Sequence, residues 1–214
     1  MEATRIIAVR HGETAWNVDT RIQGQLDIGL NPRGQWQARQ LARALAGERV
    51  GGIYSSDLLR ARHTADAIAA RSGVPVVAEP GLRERHFGAF EGRTFVEVEQ
   101  AWPDQARQWR TRVPDWAPPD GGESLLAVRA RVQQTVDRLA ARHAGELIVL
   151  VAHGGVLDAL YRLATRQPVE APRTWELMNA AINRLLWSRD GLSVVGWSDT
   201  LHLEDTAAID EDVA

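Results

Sequence analysis

The chain has 214 residues, a formal net charge of −3 at pH 7, no cysteine and 25 basic residues that are all arginine. This composition excludes disulfides, thiolate nucleophiles and cysteine zinc sites, and with them Schiff-base lysines and the Gly-Lys-Ser/Thr phosphate loop. Six acidic residues and no arginine follow Trp197, which leaves the preceding chain at about +3, far short of a nucleic-acid-binding face.

No apolar run approaches the roughly 20 residues of a membrane span. Met1–Arg5 lacks the basic stretch and apolar core of a signal peptide. The expectation is a cytoplasmic protein with one globular domain over residues 1–214. From about residue 198 it ends in an acidic, solvated tail. Nothing in the sequence fixes an oligomeric state, a homodimer included.

Ile6–Val9 has the length and β-branched content of a buried strand. It stops at Arg10-His11-Gly12. His11 is a side chain that can be neutral and nucleophilic near pH 7. Arg10 offers a planar fork suited to phosphate or carboxylate. On these residues alone, a solvated Arg-His pair at a strand end is an equal reading. The stretch to Asn31 has no period and contains Gly24 and Gly29; a loop that long inside a domain usually carries function. Asn31-Pro32 then supplies an N-cap and first helical residue. Ala38, Leu41, Ala42 and Leu45 continue an amphipathic helix closed near Gly47.

Gly52–Ser55 predicts a second strand, with a helix beginning at Ser56-Asp57 and ending at Gly73. Its stripe is Leu58, Ala61, Ala65 and Ile68. By itself Arg60, in the first turn, reads as a solvated helix arginine. Val74–Val77 is a third strand. The polar, glycine-punctuated segment Leu82–Gly92 follows, with Glu84 and Glu91. Trp102, Trp109 and Trp116 then crowd among prolines in a lid-like excursion over about 95–120, for which a plain surface excursion anchored by tryptophan is equally consistent. Ser124 caps the longest amphipathic pattern. Leu147–Ala152 is uninterrupted and hence central. It runs into His153-Gly154-Gly155 and another helix, repeating the opening pattern of strand, histidine, glycine and helix. Segments 182–187 and 192–197 form a terminal hairpin. The alternation predicts a three-layer α/β/α sandwich with a mostly parallel central sheet.

Ligands of open α/β sheets bind outside the strands' carboxyl ends. His11, the Ser55–Arg60 corner and His153 each lie just past such an end. If these strands share one parallel sheet, two histidines, two arginines and the helix N-terminus at Gly154-Gly155 surround one small space, a phosphate pocket. The glutamate-rich loop could supply an acid for a leaving group. Metal ligation is the weaker use of these residues: arginines face the site, and no His-Glu-x-x-His or Asp-rich cluster is present.

RHGETAWN at Arg10–Asn17, SSDLLRA at Ser55–Ala61, the Leu82–Gly92 segment and VAHGG at Val151–Gly155 occur in one order along the chain. Together they resemble the histidine phosphatase superfamily, in the branch that includes the cofactor-dependent phosphoglycerate mutases. The resemblance implies a phosphoglycerate mutase-like fold that needs no metal or organic cofactor. It implies His11 as nucleophile through Nε2, with its other nitrogen held by backbone near Gly12. Arg10, Arg60, His153 and Gly154 would surround the phosphoryl group, Asn17 would add a donor, and Gln23 and Gly24 would line the mouth. Glu84 would protonate the leaving oxygen and then activate water.

Mutases of the branch usually carry a tyrosine after the glutamate, a lysine further on, and Gly-Asn after the second histidine. Here these are Phe87, no lysine and Gly154-Gly155. The resemblance is therefore to the broad-specificity phosphatases, and the expected activity is hydrolysis of small phosphorylated metabolites without nucleic-acid or membrane partners. Phosphoglycerate mutase is the alternative, and a non-catalytic binding protein of the same fold a remote one.

Overall fold

In the computed structural model, which describes residues 2–204, Thr4–Arg10 forms strand β1. Its side chains alternate between two cores: Ile6 and Ala8 enter one, Ile7 and Val9 the other. A strand that is apolar on both faces must lie inside a sheet covered on both sides. It does, in a six-stranded sheet of order β3-β2-β4-β1-β5-β6. The remaining strands are β2 (Val50–Ser55), β3 (Val76–Ala78), β4 (Leu147–Ala152), β5 (Ile182–Ser188) and β6 (Gly191–Asp199). β3, β2, β4 and β1 run parallel, β5 pairs antiparallel with β1, and the expected hairpin joins β5 to β6.

Seven helices accompany the sheet among the described residues: α1 (Ala15–Val18), α2 (Pro32–Ala44), α3 (Leu59–Ser72), α4 (Phe95–Ala101), α5 (Pro103–Arg110), α6 (Leu125–Ala140) and α7 (Gly154–Thr165). Leu41, Ala42 and Leu45 of the α2 segment and Ala61, Ala65 and Ile68 of α3 cover one face. Val128, Val132, Val136 and Leu139 of α6 and Val156, Leu157 and Leu160 of α7 cover the other. The architecture is the expected three-layer sandwich. None of the described helices is long and apolar enough to cross a membrane.

Three local readings change. α3 begins at Leu59, later than Ser56-Asp57, because its first amide is capped from outside: Asp27 Oδ1 accepts from Leu59 N–H at 2.7 Å. β3 begins at Val76, after Pro75, which has no N–H to give a ladder. The stretch after His11 is not all loop, since Thr14 and Asn17 close a capping box around the single turn of α1. Segment 95–120 contains α4 and α5, folded onto a satellite core in which Phe90, Val98 and Ala106 are fully buried against Phe87, Phe95 and three tryptophans. Residues 205–214 of the expected acidic tail lie outside the described residues; Ser198 and Asp199 belong to β6.

α2 is pinned to the end of β1 by two glycines. A Cβ on Gly12 would sit 2.5 Å from Gly34 O, and one on Gly34 would collide with Glu13 O. Asn31 Oδ1 accepts from Gly34 N–H at 2.8 Å, so the helix start cannot retreat without losing its cap. Helix propensity alone favours alanine over glycine by about 1 kcal/mol. Here the backbone collision wins, and Gly34→Ala is expected to lower unfolding stability by about 1–3 kcal/mol, read from urea transitions with an unchanged slope. A stabilised variant would contradict this packing.

Candidate active site

The site grows from one register. Arg10 of β1 lies opposite Ala152 of β4, and His11 N–H continues the ladder to Ala152 O at 3.0 Å. The residues just beyond the two strands, His11 and His153, therefore come side by side, with ring centroids 5.2 Å apart. Both rings are buried, at 3% and 0% exposure. His11 Nδ1 lies 2.7 Å from Gly12 O. That contact makes Nδ1 the protonated nitrogen and leaves Nε2 with a free lone pair. Neither ring nitrogen of His153 has a hydrogen-bond partner among the described residues.

Burial, reinforced by Arg10 and Arg60, holds His11 well below the usual imidazole range, and the Gly12 carbonyl opposes this only partly. Burial first, then Arg60, His11 and Arg10, does the same to His153. Each ring is thus neutral at physiological pH, the state in which an imidazole nitrogen is a nucleophile.

Arg60 is not the solvated helix residue its position suggests. It is fully buried, with Nη1 and Nη2 donating to Leu26 O (2.8 Å) and Gly24 O (2.7 Å). Arg10 donates Nη1 to Leu177 O. The Nε of each is buried without a partner. Burial lowers both guanidinium pKa values, Glu84 opposing in each case. Two desolvated cations with an unused donor apiece, beside two neutral imidazoles, suit a tetrahedral oxyanion.

One expectation is reversed. The first amides of α7 are not simply open to a ligand: both Glu84 carboxylate oxygens lie 3.1 Å from Gly155 N. The positive end of the helix has drawn the protein's own carboxylate. Gly155 permits it, because a Cβ there would collide with Glu84 Oε1. Gly154 separates the charges, its Cβ position lying 3.8 Å from both Arg10 Nε and Glu84 Oε2.

Of the other expected residues, Asn17 turns its Oδ1 to Thr14 N–H and joins the His11 corner through Asn179. Gly24 (φ +51°) gives its carbonyl to Arg60, and Gln23 is buried with Oε1 unpartnered. Neither residue lines the main cavity. That cavity, about 530 Å³, opens from Arg10, Gly154 and Gly155 toward Arg85, Phe87 and Trp109.

Several supports are illegible in the sequence. Thr64 Oγ1 accepts from Gly12 N–H and donates to Arg60 O. Asn179 donates to His11 O at 2.8 Å, and Ala180 N–H to Arg10 O at 2.9 Å. A threonine four residues after Arg60 was the one available signal; nothing marked Asn179. Among the described residues no group of three or more His, Cys, Asp or Glu could hold a metal ion.

The sequence model of the histidine phosphatase superfamily, branch 1, matches residues 6–200. The chain belongs to the histidine phosphatase superfamily. Phosphoglycerate mutase-like protein 4 of Arabidopsis thaliana is 37% identical over 209 residues, covering 96% of this chain and 90% of that protein. The metal-independent phosphoserine phosphatase of the same plant is 39% identical over 205 residues, covering 94% and 84%. The native structure of a mycobacterial glucosyl-3-phosphoglycerate phosphatase superposes with a TM-score of 0.83 at 33% identity, covering 92% of this chain and all of that one. This histidine phosphatase thus resembles relatives named for hydrolysis and relatives named for isomerisation.

Because burial holds both imidazoles neutral, the ring Cε1 resonances of His11 and His153 are expected not to titrate between pH 8 and pH 6 in NMR spectra. His→Gln variants provide the assignments. A midpoint near 6.5, the value of a free side chain, would show that the rings are solvated.

Proposed function

We propose that the protein is a metal-independent phosphomonoesterase acting through a phosphohistidine on small phosphorylated metabolites. The observation that carries this reading is the pair of neutral, buried imidazoles between two desolvated arginines, with a carboxylate at the start of α7. The His11 Nε2 lone pair attacks phosphorus while the bond to the leaving oxygen breaks in line. Glu84 gives that oxygen a proton as it takes up the electron pair. Arg10, Arg60 and His153 offer N–H donors to the equatorial oxygens, where negative charge gathers in the transition state. Water then attacks phosphorus, Glu84 takes its proton, and the P–N electron pair returns to His11.

The contact of the Glu84 carboxylate with the Gly155 amide, at the start of the helix that follows His153, supports its role as the acid and base. Hydrolysis is preferred to isomerisation because Phe87 and Gly155 stand where the mutases usually carry tyrosine and asparagine. The phosphatases among the relatives support the same preference.

Rapid quenching with labelled substrate is expected to trap an acid-labile, base-stable phosphoprotein that His11→Ala lacks, with turnover reduced at least 10³-fold, a barrier increase of about 4 kcal/mol. Labelling that persists without His11 would remove this residue from its role. Glu84→Gln is expected to lower kcat more for an alkyl phosphate than for 4-nitrophenyl phosphate, whose leaving group needs no proton. Equal losses on both substrates would mean that Glu84 does not serve as the acid. With 3-phosphoglycerate, phosphate release should exceed 2-phosphoglycerate formation, with or without 2,3-bisphosphoglycerate; the reverse order would make the protein a mutase.

A further inference from the structure

Glu84 lies between two single turns, Pro80–Leu82 and Gly88–Phe90, in a stretch that belongs to no helix or strand. No ladder or helical bond holds its backbone there, yet its carboxylate depends on that backbone directly. Glu84 Oε1 accepts from the next amide, Arg85 N–H, at 2.7 Å as well as from Gly155 N–H. If the peptide between Glu84 and Arg85 rotates, the carboxylate swings with it and leaves the start of α7. An acid that must meet a leaving oxygen needs this peptide fixed.

The peptides on either side of it are fixed by one ion pair from outside the segment. Arg131, on α6, donates Nη1 to Arg83 O at 2.9 Å and to Gly81 O at 3.0 Å. Its other edge is bidentate to Glu123: Nε to Oε1 and Nη2 to Oε2, each at 2.8 Å. Glu123 completes the clamp. Its Oε2 accepts from His86 N–H at 2.9 Å, and its own N–H donates to His86 O at 2.8 Å. The pair thus grips the chain just before Glu84 and again just after Arg85. Gln25 Nε2 adds a longer bond, 3.2 Å, to Glu84 O itself.

The anchor is firm, because Val128, Val132 and Val136 set α6 into the core. The Arg131 and Glu123 side chains are 23% and 22% exposed, and neither residue lines the 530 Å³ cavity. Burial raises the Glu123 carboxyl, but Arg131 and the His86 amide outweigh it and hold the group below the usual carboxylate range. A planar guanidinium serves a carboxylate on one edge and carbonyls on the other, which an ammonium cannot do.

We propose that Arg131 and Glu123 are positioning residues that hold Glu84 in place for proton transfer. The inference rests on the reading of Glu84 as acid and base, but the clamp can also be read without turnover.

Two measurements test it. Arg131→Gln is expected to lower kcat/KM at least tenfold more for glycerol 3-phosphate than for 4-nitrophenyl phosphate, whose leaving group needs no proton. A site damaged in general would lose both alike. Glu123→Gln should show the same selective loss, and the double variant should lose no more than the worse single one, since the two act as a unit. Arg131→Lys keeps the charge without the fork and should show a smaller loss of the same kind; it carries the test if urea transitions show Arg131→Gln unfolded. Arg138→Gln is the control: Arg138 lies further along α6, pairs with Glu79, and should keep the wild-type ratio. In NMR spectra the Gly155 amide resonance should move in Glu84→Gln and in Arg131→Gln, and stay in Arg138→Gln. Equal losses on both esters in the clamp variants while Glu84→Gln remains selective, or a Gly155 amide that ignores Arg131, would overturn the clamp. A Glu84→Gln protein without leaving-group selectivity, alongside a Gly155 amide displaced by Arg131→Gln, would instead overturn the acid and leave the clamp standing.

Discussion

The hydrogen bond from His11 N–H to Ala152 O fixes the molecule's chemistry, because it extends the β1–β4 ladder one step past the last paired residues. Parallel register allows no slip here. A shift of one residue would turn Ile6 and Ala8 toward the wrong core and carry His11 to the other face of the sheet. The burial that defines the register thus also sets the 5.2 Å spacing of the two rings. Positioning is inherited from the core, with no device of its own.

The electrostatics follow from the same burial. A desolvated guanidinium is costly, and the chain offsets the cost with backbone carbonyls: Gly24 and Leu26 for Arg60, Leu177 for Arg10. These bonds hold the charge in place without neutralising it, as a carboxylate would. A guanidinium has five N–H groups, so it can be anchored in this way and still present a donor, which an ammonium does less well. The unpartnered Nε atoms of Arg10 and Arg60 are those donors. A buried donor without a partner costs roughly 1–3 kcal/mol, a cost that an oxyanion accepting from these atoms would recover.

Much of this was legible along the chain. Strands ending in histidine and glycine, together with the order of the four motifs, placed the parallel sheet, both histidines and Arg60. Three kinds of information were absent. Asp27 caps α3 from thirty-two positions away, a contact no local pattern encodes. Arg60 read as solvated because its burial depends on the carbonyls of a loop without periodicity. Glu84 was placed in the site by motif, but its seat on the α7 amide depends on two segments 71 residues apart. Local chemistry shows which groups are available, and tertiary packing decides which partners they take.

The antiparallel return of β5 has a consequence for synthesis. β1 is made first, yet its two neighbours, β4 and β5, come from residues 147–152 and 182–188. Asn179 and Ala180, which brace His11 and Arg10, are also late. A chain emerging from the ribosome amino end first therefore carries a short, oily strand with both edges open until most of the polypeptide is out. Such an edge is a template for pairing with other chains. The sheet cannot be completed piecemeal: the corner that holds His11 stays unassembled until residues 182–188 have been made.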